Sequence, residues 1–86
     1  MVVNTFSKIG NNCKILSDVT IGISGEKDSL GAPSIGNNVY IGTSARILGN
    51  ITIADNVVIG VNAVVTKSIV EPGITVAGIP AKKSVM

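Results

Sequence analysis

An aliphatic residue recurs at every sixth position along most of this chain, and this period constrains the fold more than any other feature. The stripe consists of Val3, Ile9, Ile15, Ile21, Ile35, Ile41, Ile47, Ile53, Ile59 and Val65. An α-helix, with its period of about 3.6 residues, cannot hold such a stripe on one face. A six-residue repeat is typical of a parallel β-helix, in which short strands stack coil upon coil. The sequence therefore predicts an all-β fold.

Composition agrees with strands and limits the class of protein. Ile and Val number 25 against 3 Leu, and 45% of the 86 residues are hydrophobic, which favours one small ordered domain. One cysteine and no histidine exclude an internal disulfide and a zinc centre. A net charge of +2 with 2% aromatic residues predicts no nucleic-acid surface. No apolar run reaches the roughly 20 residues of a membrane span and no secretory signal follows Met1, so we expect a cytoplasmic protein without a membrane partner.

Two further positions of the repeat predict side-chain orientation. Four residues after the first stripe comes a second stripe, which we expect to point inward: Cys13, Val19, Val39, Ala45, Ile51, Val57, Ala63 and Ile69. Cys13 is thus expected to be a small core residue. The residue before each of these is expected to form a sharp corner: Asn12, Asp18, Asn38, Ser44, Asn50, Asn56, Asn62 and Ser68. Asparagine favours such corners because it tolerates a positive φ.

Three hexads would make one triangular coil of about 18 residues, with coils about 4.8 Å apart. The chain would hold a little over three coils, with residues 1–22 as the first coil, 35–70 as further coils and 71–86 as a closing segment of a single domain. Between Ile21 and Ile35 the period is broken by eight extra residues, which predicts an exposed excursion at residues 23–34. So small a prism leaves open strand edges, for which a homotrimer is the expected remedy. Chain-crossover rules alone would favour a right-handed coil.

The sequence also resembles a known family, the bacterial hexapeptide-repeat acyltransferases, and within it the catalytic region of serine acetyltransferases. The resemblance rests on PSIGNNVYIGTSARILGNITI (33–53), IGVNAVVTKS (59–68) and VAGIPAK (76–82), together with the length of the excursion. It implies a left-handed parallel β-helix that assembles as a trimer and transfers an acetyl group from acetyl-CoA to a hydroxyl or amine. Active sites of the family lie between subunits, beneath the extended loop.

The same resemblance implies a set of cofactor contacts. Carried over by motif, acetyl-CoA would contact Thr43, Val61, Thr66 and Lys67, with Lys82 facing the nucleotide phosphates. Backbone amides beside small residues can bond the pantetheine amides, and lysines offer charge to phosphate. Val61 departs from the small residue usual at its position in the family.

Catalysis is where the chain departs most from the family, whose general base is a histidine. This chain has none, and Ala32 occupies the position of the loop histidine, beside Gly31 at that of a loop arginine. The exposed carboxylates of Glu26 and Asp28 would be poor replacements. We therefore expect no catalytic residue in these 86 residues, which are either part of a longer acetyltransferase or a shortened relative that does not catalyse.

Two functions stay open on these grounds. The first is an acetyl-CoA-dependent O-acetyltransferase acting on a small acceptor, which could be serine, given the loop length, or a sugar, given Gly31 and Ala32. The second is a non-catalytic trimerising scaffold that keeps the repeat for stability alone.

Overall fold

The computed structural model describes residues 2–3, 7–22 and 32–83, and within them the chain forms short strands and no helix. The strands are β1 (Val2–Val3), β2 (Lys8–Ile9), β3 (Lys14–Ile15), β4 (Thr20–Gly22), β5 (Ser34–Ile35), β6 (Tyr40–Ile41), β7 (Arg46–Leu48), β8 (Thr52–Ile53), β9 (Val58–Ile59), β10 (Val64–Val65), β11 (Thr75–Ala77) and β12 (Lys82–Lys83). Each strand coincides with one aliphatic position of the repeat until the repeat ends after β10.

The strands form three sheets that are the faces of a triangular prism. Sheet A has the order β1-β4-β7-β10, sheet B the order β2-β5-β8, and sheet C the order β12-β11-β9-β6-β3. All pairings are parallel except that of β11 with β12. From β1 to β10 consecutive strands lie in different sheets, so the chain passes from face to face and returns to each face once per coil. The all-β fold with parallel strands is as the sequence predicts.

The register of the pairs gives the length of a coil. Val3 pairs with Ile21, Ile35 with Ile53 and Ile41 with Ile59, so each coil takes eighteen residues. Across the break, Ile9 pairs with Ile35 and Ile21 with Ile47, a separation of twenty-six. The eight extra residues therefore leave the ladder and the coils on either side stay in register. Most of the predicted excursion, residues 23–31, lies outside the described residues, and its predicted last residue, Ser34, already belongs to β5.

Both predicted inward stripes form the core. From Val19 to Ile69 the stripe residues among the described positions are buried, and Val76 of β11 joins them. Cys13 and Ile15 are partly buried and pack against this cluster. Val3 and Ile9 differ from the prediction, because they are 37% and 38% exposed. They lie in the first coil, which has described neighbours on one side only.

The predicted corners are confirmed at six positions, each with a φ near +60°. These are Asn12 (60°), Asp18 (59°), Asn38 (58°), Ser44 (62°), Asn56 (60°) and Asn62 (61°). The prediction is wrong for Asn50 and Ser68. At the first of these corners Gly49 takes the positive φ, at 102°, because it has no Cβ to clash. At the second, the hydroxyl of Ser68 accepts a hydrogen bond from the N–H of Thr52 at 3.0 Å.

One corner, between sheets B and C, is held by side chains that bond the coil below them. Asn37 Oδ1 accepts from the N–H of Asn11 at 2.8 Å, and Asp55 Oδ1 accepts from the N–H of Asn37 at 2.7 Å. A Cβ on Gly10 would collide with Asn37 Oδ1, and one on Gly36 with Asp55 Oδ1. The glycines before these corners therefore make room for the side chain that closes the next coil.

The closing segment folds back over the end of the prism. After β11 the chain turns at Gly78 and returns as β12, with a cis peptide bond between Ile79 and Pro80. On the way it bonds the edge of sheet A: the N–H of Val64 donates to Gly78 O at 3.1 Å, and the N–H of Ala81 donates to Val64 O at 2.8 Å. These bonds bring β12 beside the residues that follow β10.

Candidate functional site

Three of the predicted cofactor contacts line one small pocket of about 140 Å³ at the end of sheet A. Its walls are Thr66, Lys67, Pro80, Ala81 and Lys82. The first two follow β10, and the other three belong to the returning segment that the Val64 bonds hold in place. Residues separated by fifteen positions in sequence are thus brought together by the closing turn.

The pocket is cationic. Lys67 and Lys82 are both exposed, so their ammonium groups are hydrated and able to reach a ligand. Within residues 2–3, 7–22 and 32–83 the ion pair present joins Lys83 Nζ to Glu71 Oε1 at 3.3 Å, and it leaves Lys67 and Lys82 without a carboxylate partner there. Two such ammonium groups beside a small cavity suit an anionic group, above all a phosphate.

The other two predicted contacts, Thr43 and Val61, lie on a different corner. They occupy equivalent places in successive coils between sheets C and A, where the N–H of Asn62 donates to Thr43 O at 2.9 Å. Val61 is 62% exposed, a high value for an aliphatic side chain. Gly42 packs against this corner so tightly that a Cβ on it would lie 2.8 Å from Val61 N. The two groups are therefore separated by the width of sheet A.

Ala32 lies two residues before the start of β5, the strand that resumes the coil. It is partly buried, and Pro33 after it is buried. A methyl group can neither accept nor donate a proton, and the whole chain has no histidine. Gly31, Glu26 and Asp28 lie outside the described residues. Along the chain, the excursion falls between β4 of sheet A and β5 of sheet B. Thr66 and Lys67, which follow β10 of sheet A, lie at the same corner between sheets A and B.

Comparison with known proteins gives this geometry a family. The family described as "Bacterial transferase hexapeptide (six repeats)" matches residues 32–67. Residues 32–67 are therefore hexapeptide repeats of this family. Over 80 residues it is 44% identical to the serine acetyltransferase of Staphylococcus xylosus, covering 93% of this chain and 37% of that protein.

Solved structures of the same enzymes superpose on the hexapeptide-repeat coil. The serine acetyltransferase of Brucella abortus strain S19 in complex with coenzyme A gives a TM-score of 0.90 at 38% identity, covering 96% of this chain and 33% of that one. The serine acetyltransferase of Neisseria gonorrhoeae in complex with serine gives a TM-score of 0.86 at 44% identity, covering 98% of this chain and 34% of that one. The chain thus spans about a third of the length of these relatives.

Some residues around the hexapeptide-repeat coil were not among the predicted contacts. Pro80 and Ala81 line the small pocket, and the signal for them was present, since both lie inside the VAGIPAK segment. A larger and shallower hollow of about 390 Å³ lies over sheet B, with Ser34, Thr52, Asp55, Val70 and Pro72 in its walls. Nothing in the repeat indicates this hollow, because Val70 and Pro72 belong to the segment after the last hexad.

The described part of the chain contains neither a metal-binding cluster nor a membrane-spanning helix. There, no three His, Cys, Asp or Glu side chains stand close enough to hold a metal ion. In the same residues no helix has the length and apolar character needed to cross a membrane.

Proposed function

We propose that this chain is the donor-binding coil of an acetyl-CoA-dependent O-acetyltransferase that resembles serine acetyltransferase. The enzyme would move the acetyl group to the hydroxyl of a small acceptor, with serine as the first candidate. The observation that carries the proposal is the pocket at the end of sheet A, where Thr66, Lys67 and Lys82 meet. The relatives crystallised with coenzyme A and with serine support the same donor and acceptor.

Each predicted contact has a role that its position allows. Lys67 and Lys82 would bind phosphate oxygens of the donor, and Thr66 would add a hydroxyl hydrogen bond from the same pocket. Thr43 and Val61, on the corner between sheets C and A, would present backbone groups to the amides of the pantetheine arm. These five residues bind and orient the donor, and none of them is a base.

The reaction needs one group that these residues do not supply. The acceptor hydroxyl would attack the thioester carbonyl while its proton passes to a general base. The C–S bond would then break, and the departing CoA thiolate would take that proton to become the thiol. Histidine suits this work and the chain has none. We therefore propose that the base lies in a part of the enzyme outside these 86 residues, and that the chain by itself binds the donor without transferring acetyl.

The proposal includes the finer architecture expected from the sequence. The coil would be left-handed with a little over three turns, divided at the predicted boundaries into residues 1–22, 23–34, 35–70 and 71–86, and it would assemble as a homotrimer. An apolar pair on the outer face of sheet C supports a contact between subunits, because Tyr40 and Val58 are paired neighbours and each is 38% exposed. The cytoplasmic location stays a prediction.

A calorimetric titration with acetyl-CoA tests the donor site directly. We expect saturable binding that Lys67→Ala and Lys82→Ala each weaken about tenfold, since each removes one charge-assisted bond. Lys8→Ala removes the same charge from sheet B at the opposite end of the coils and should bind like the unaltered chain. Absence of saturable binding at millimolar acetyl-CoA would refute the proposal.

A second function, a non-catalytic trimerising scaffold, is favoured by the absence of histidine. The same titration, combined with light scattering, distinguishes the two functions. A scaffold gives a trimer and no binding of acetyl-CoA, whereas a donor-binding coil gives binding that depends on Lys67.

A further inference from the structure

The hollow of about 390 Å³ over sheet B shares no lining residue with the pocket at the end of sheet A. It forms because Gly36 and Ala54, which follow the inward isoleucines of β5 and β8, leave the outer face of the sheet almost bare. Ser34 and Thr52, which precede the same isoleucines, add two hydroxyl groups to its wall. The hollow lies on a side face of the coils, between neighbouring coils that the structure describes.

The carboxylate of Asp55 is the charged group of this hollow. Its Oδ1 accepts a hydrogen bond from the N–H of Asn37 at 2.7 Å and lies over Gly36, where a Cβ would collide with it. Among the described residues its Oδ2 accepts no hydrogen bond, and the ion pair found there joins Lys83 to Glu71 instead. The carboxylate is therefore held in a fixed position while its charge has no partner in that part of the chain.

The structural role of Asp55 does not require a charge. Asn37 occupies the equivalent position one coil below, and its amide oxygen accepts from the N–H of Asn11 at 2.8 Å in the same way. An amide oxygen is thus sufficient to close this corner of the prism. A carboxylate at position 55 keeps the same bond and adds a negative charge that the corner itself does not use.

The other polar groups of the hollow suit a ligand that donates hydrogen bonds. Four backbone N–H groups of its walls are already used within the coils, at 2.8 to 3.0 Å: those of Ser34, Gly36, Thr52 and Ala54. The hydroxyl oxygens of Ser34 and Thr52 can each accept a hydrogen bond. Lys8 pairs with Ser34 in the next coil but does not line the hollow, so the lining residues carry negative charge alone.

We propose that the hollow over sheet B binds a small molecule through a primary ammonium group. An ammonium group has three donors and no acceptor, so it pairs with the free oxygen of Asp55 and donates to the hydroxyls of Ser34 and Thr52. The apolar part of the ligand packs against Pro72 and against Val70, which is 79% exposed. The volume lies within the range of about 300–1,000 Å³ that is usual for small-molecule sites.

Nuclear magnetic resonance of the ¹⁵N-labelled chain tests this with three probes of one size and different charge. These are cyclohexylammonium, cyclohexanol and cyclohexanecarboxylate, each titrated at pH 7 and low ionic strength. Cyclohexylammonium should shift the amide signals of Ser34, Gly36 and Thr52 in a saturable way at millimolar concentration. Cyclohexanol should bind at least about tenfold more weakly and the carboxylate should not bind, because only the ammonium group pairs with Asp55. This comparison needs no substitution.

Three variants locate the site. Asp55→Asn should weaken binding of cyclohexylammonium about tenfold, because it removes the charge and keeps the oxygen that the Asn37 N–H needs. Thr52→Val should weaken it about two- to fivefold, since it removes one hydroxyl while the Thr52 N–H still donates to Ser68. Asp18→Asn is the matched control: it removes the same charge from the corner between sheets C and A and should bind like the unaltered chain.

Three results would overturn the inference. The first is equal binding of the three probes to the unaltered chain, and the second is equal binding of cyclohexylammonium to Asp55→Asn and Asp18→Asn. The third is saturable binding that shifts amide signals elsewhere and leaves those of Ser34, Gly36 and Thr52 unchanged. None of the donor contacts lines this hollow, so the acetyl-CoA titration and the amine titration succeed or fail independently.

Discussion

Replacing Gly36 by alanine should destabilise the coil far more than a single methyl group would elsewhere. Its Cβ would meet Asp55 Oδ1, and it would lie 2.9 Å from Asp55 N and 3.0 Å from the carbonyl carbon of Ala54. Two of these three atoms are backbone, so no change of rotamer relieves the contact. The coils must separate locally, or the Asp55 side chain must leave the N–H of Asn37.

The size of the effect follows from those two costs. Overpacking a tight site costs about 1–3 kcal/mol, and loss of the bond from the Asn37 N–H to Asp55 Oδ1 costs about 1 kcal/mol. We expect the free energy of unfolding to fall by about 2–4 kcal/mol. For a domain of this size that lowers Tm by on the order of 10–25 °C.

Gly22 offers a matched control in the same position of the repeat. Among the described residues, a Cβ on Gly22 meets nothing within 4 Å, and its φ is not in the left-handed region. Gly22→Ala should therefore leave the protein unchanged or stabilise it by up to about 1 kcal/mol, because alanine restricts the unfolded chain. Circular dichroism during heating, at one fixed protein concentration, measures both variants. A Gly36→Ala protein that unfolds within about 0.5 kcal/mol of the unaltered chain would show that the close approach of the coils is not what requires glycine.

Two further substitution pairs test the corners and the core. At Asn56, where φ is 60°, substitution by valine should lower the free energy of unfolding by about 1–2 kcal/mol, and substitution by glycine by only a few tenths of that unit. Thermal unfolding measures both variants, and equal losses would contradict a left-handed corner. In sheet B, Ile53→Ala should cost about 2–5 kcal/mol because Ile53 is fully buried, whereas Ile9→Ala in the same column should cost about 1 kcal/mol or less. Similar losses in urea titrations would mean that Ile9 is covered in solution.

The period of the sequence was sufficient to predict the coil, the inward stripes and most corners. A stripe of aliphatic residues specifies which side chains are buried, because any shift of register would bury polar neighbours. The corner at Asn50 was wrong for a local reason. Gly49 precedes it, and glycine takes a positive φ more readily than asparagine, so the turn moves one residue towards the N-terminus.

Other features depend on neighbours that the repeat does not encode. Val3 and Ile9 hold the same repeat position as Ile53, yet they are exposed because the described coils flank them on one side only. Ser68 holds a corner position but takes no positive φ; its hydroxyl instead accepts a hydrogen bond from the N–H of Thr52, close to where the hexads end. The pocket with Lys67 and Lys82 could not be predicted by periodicity either, because it forms where the closing segment returns, beyond the last hexad.

The separation of the predicted contacts into two groups leads to a last prediction, about Arg46. Thr43 and Val61 lie on one side of sheet A, and Thr66 and Lys67 on the other, so a donor that touches both must lie across the outer face of that sheet. Arg46 stands on that face and pairs in register with Val64, between the two groups.

If both groups bind one acetyl-CoA, the guanidinium of Arg46 lies beside the bound donor. Arg46→Ala should then weaken acetyl-CoA binding about two- to tenfold in a calorimetric titration, and Arg46→Lys should weaken it less, because the charge is kept and only the forked geometry is lost. Lys14→Ala, on sheet C, is the control for loss of one positive charge. If Arg46→Ala binds like this control while Lys67→Ala still weakens binding, the donor does not cross sheet A, and Thr43 and Val61 are not part of its site.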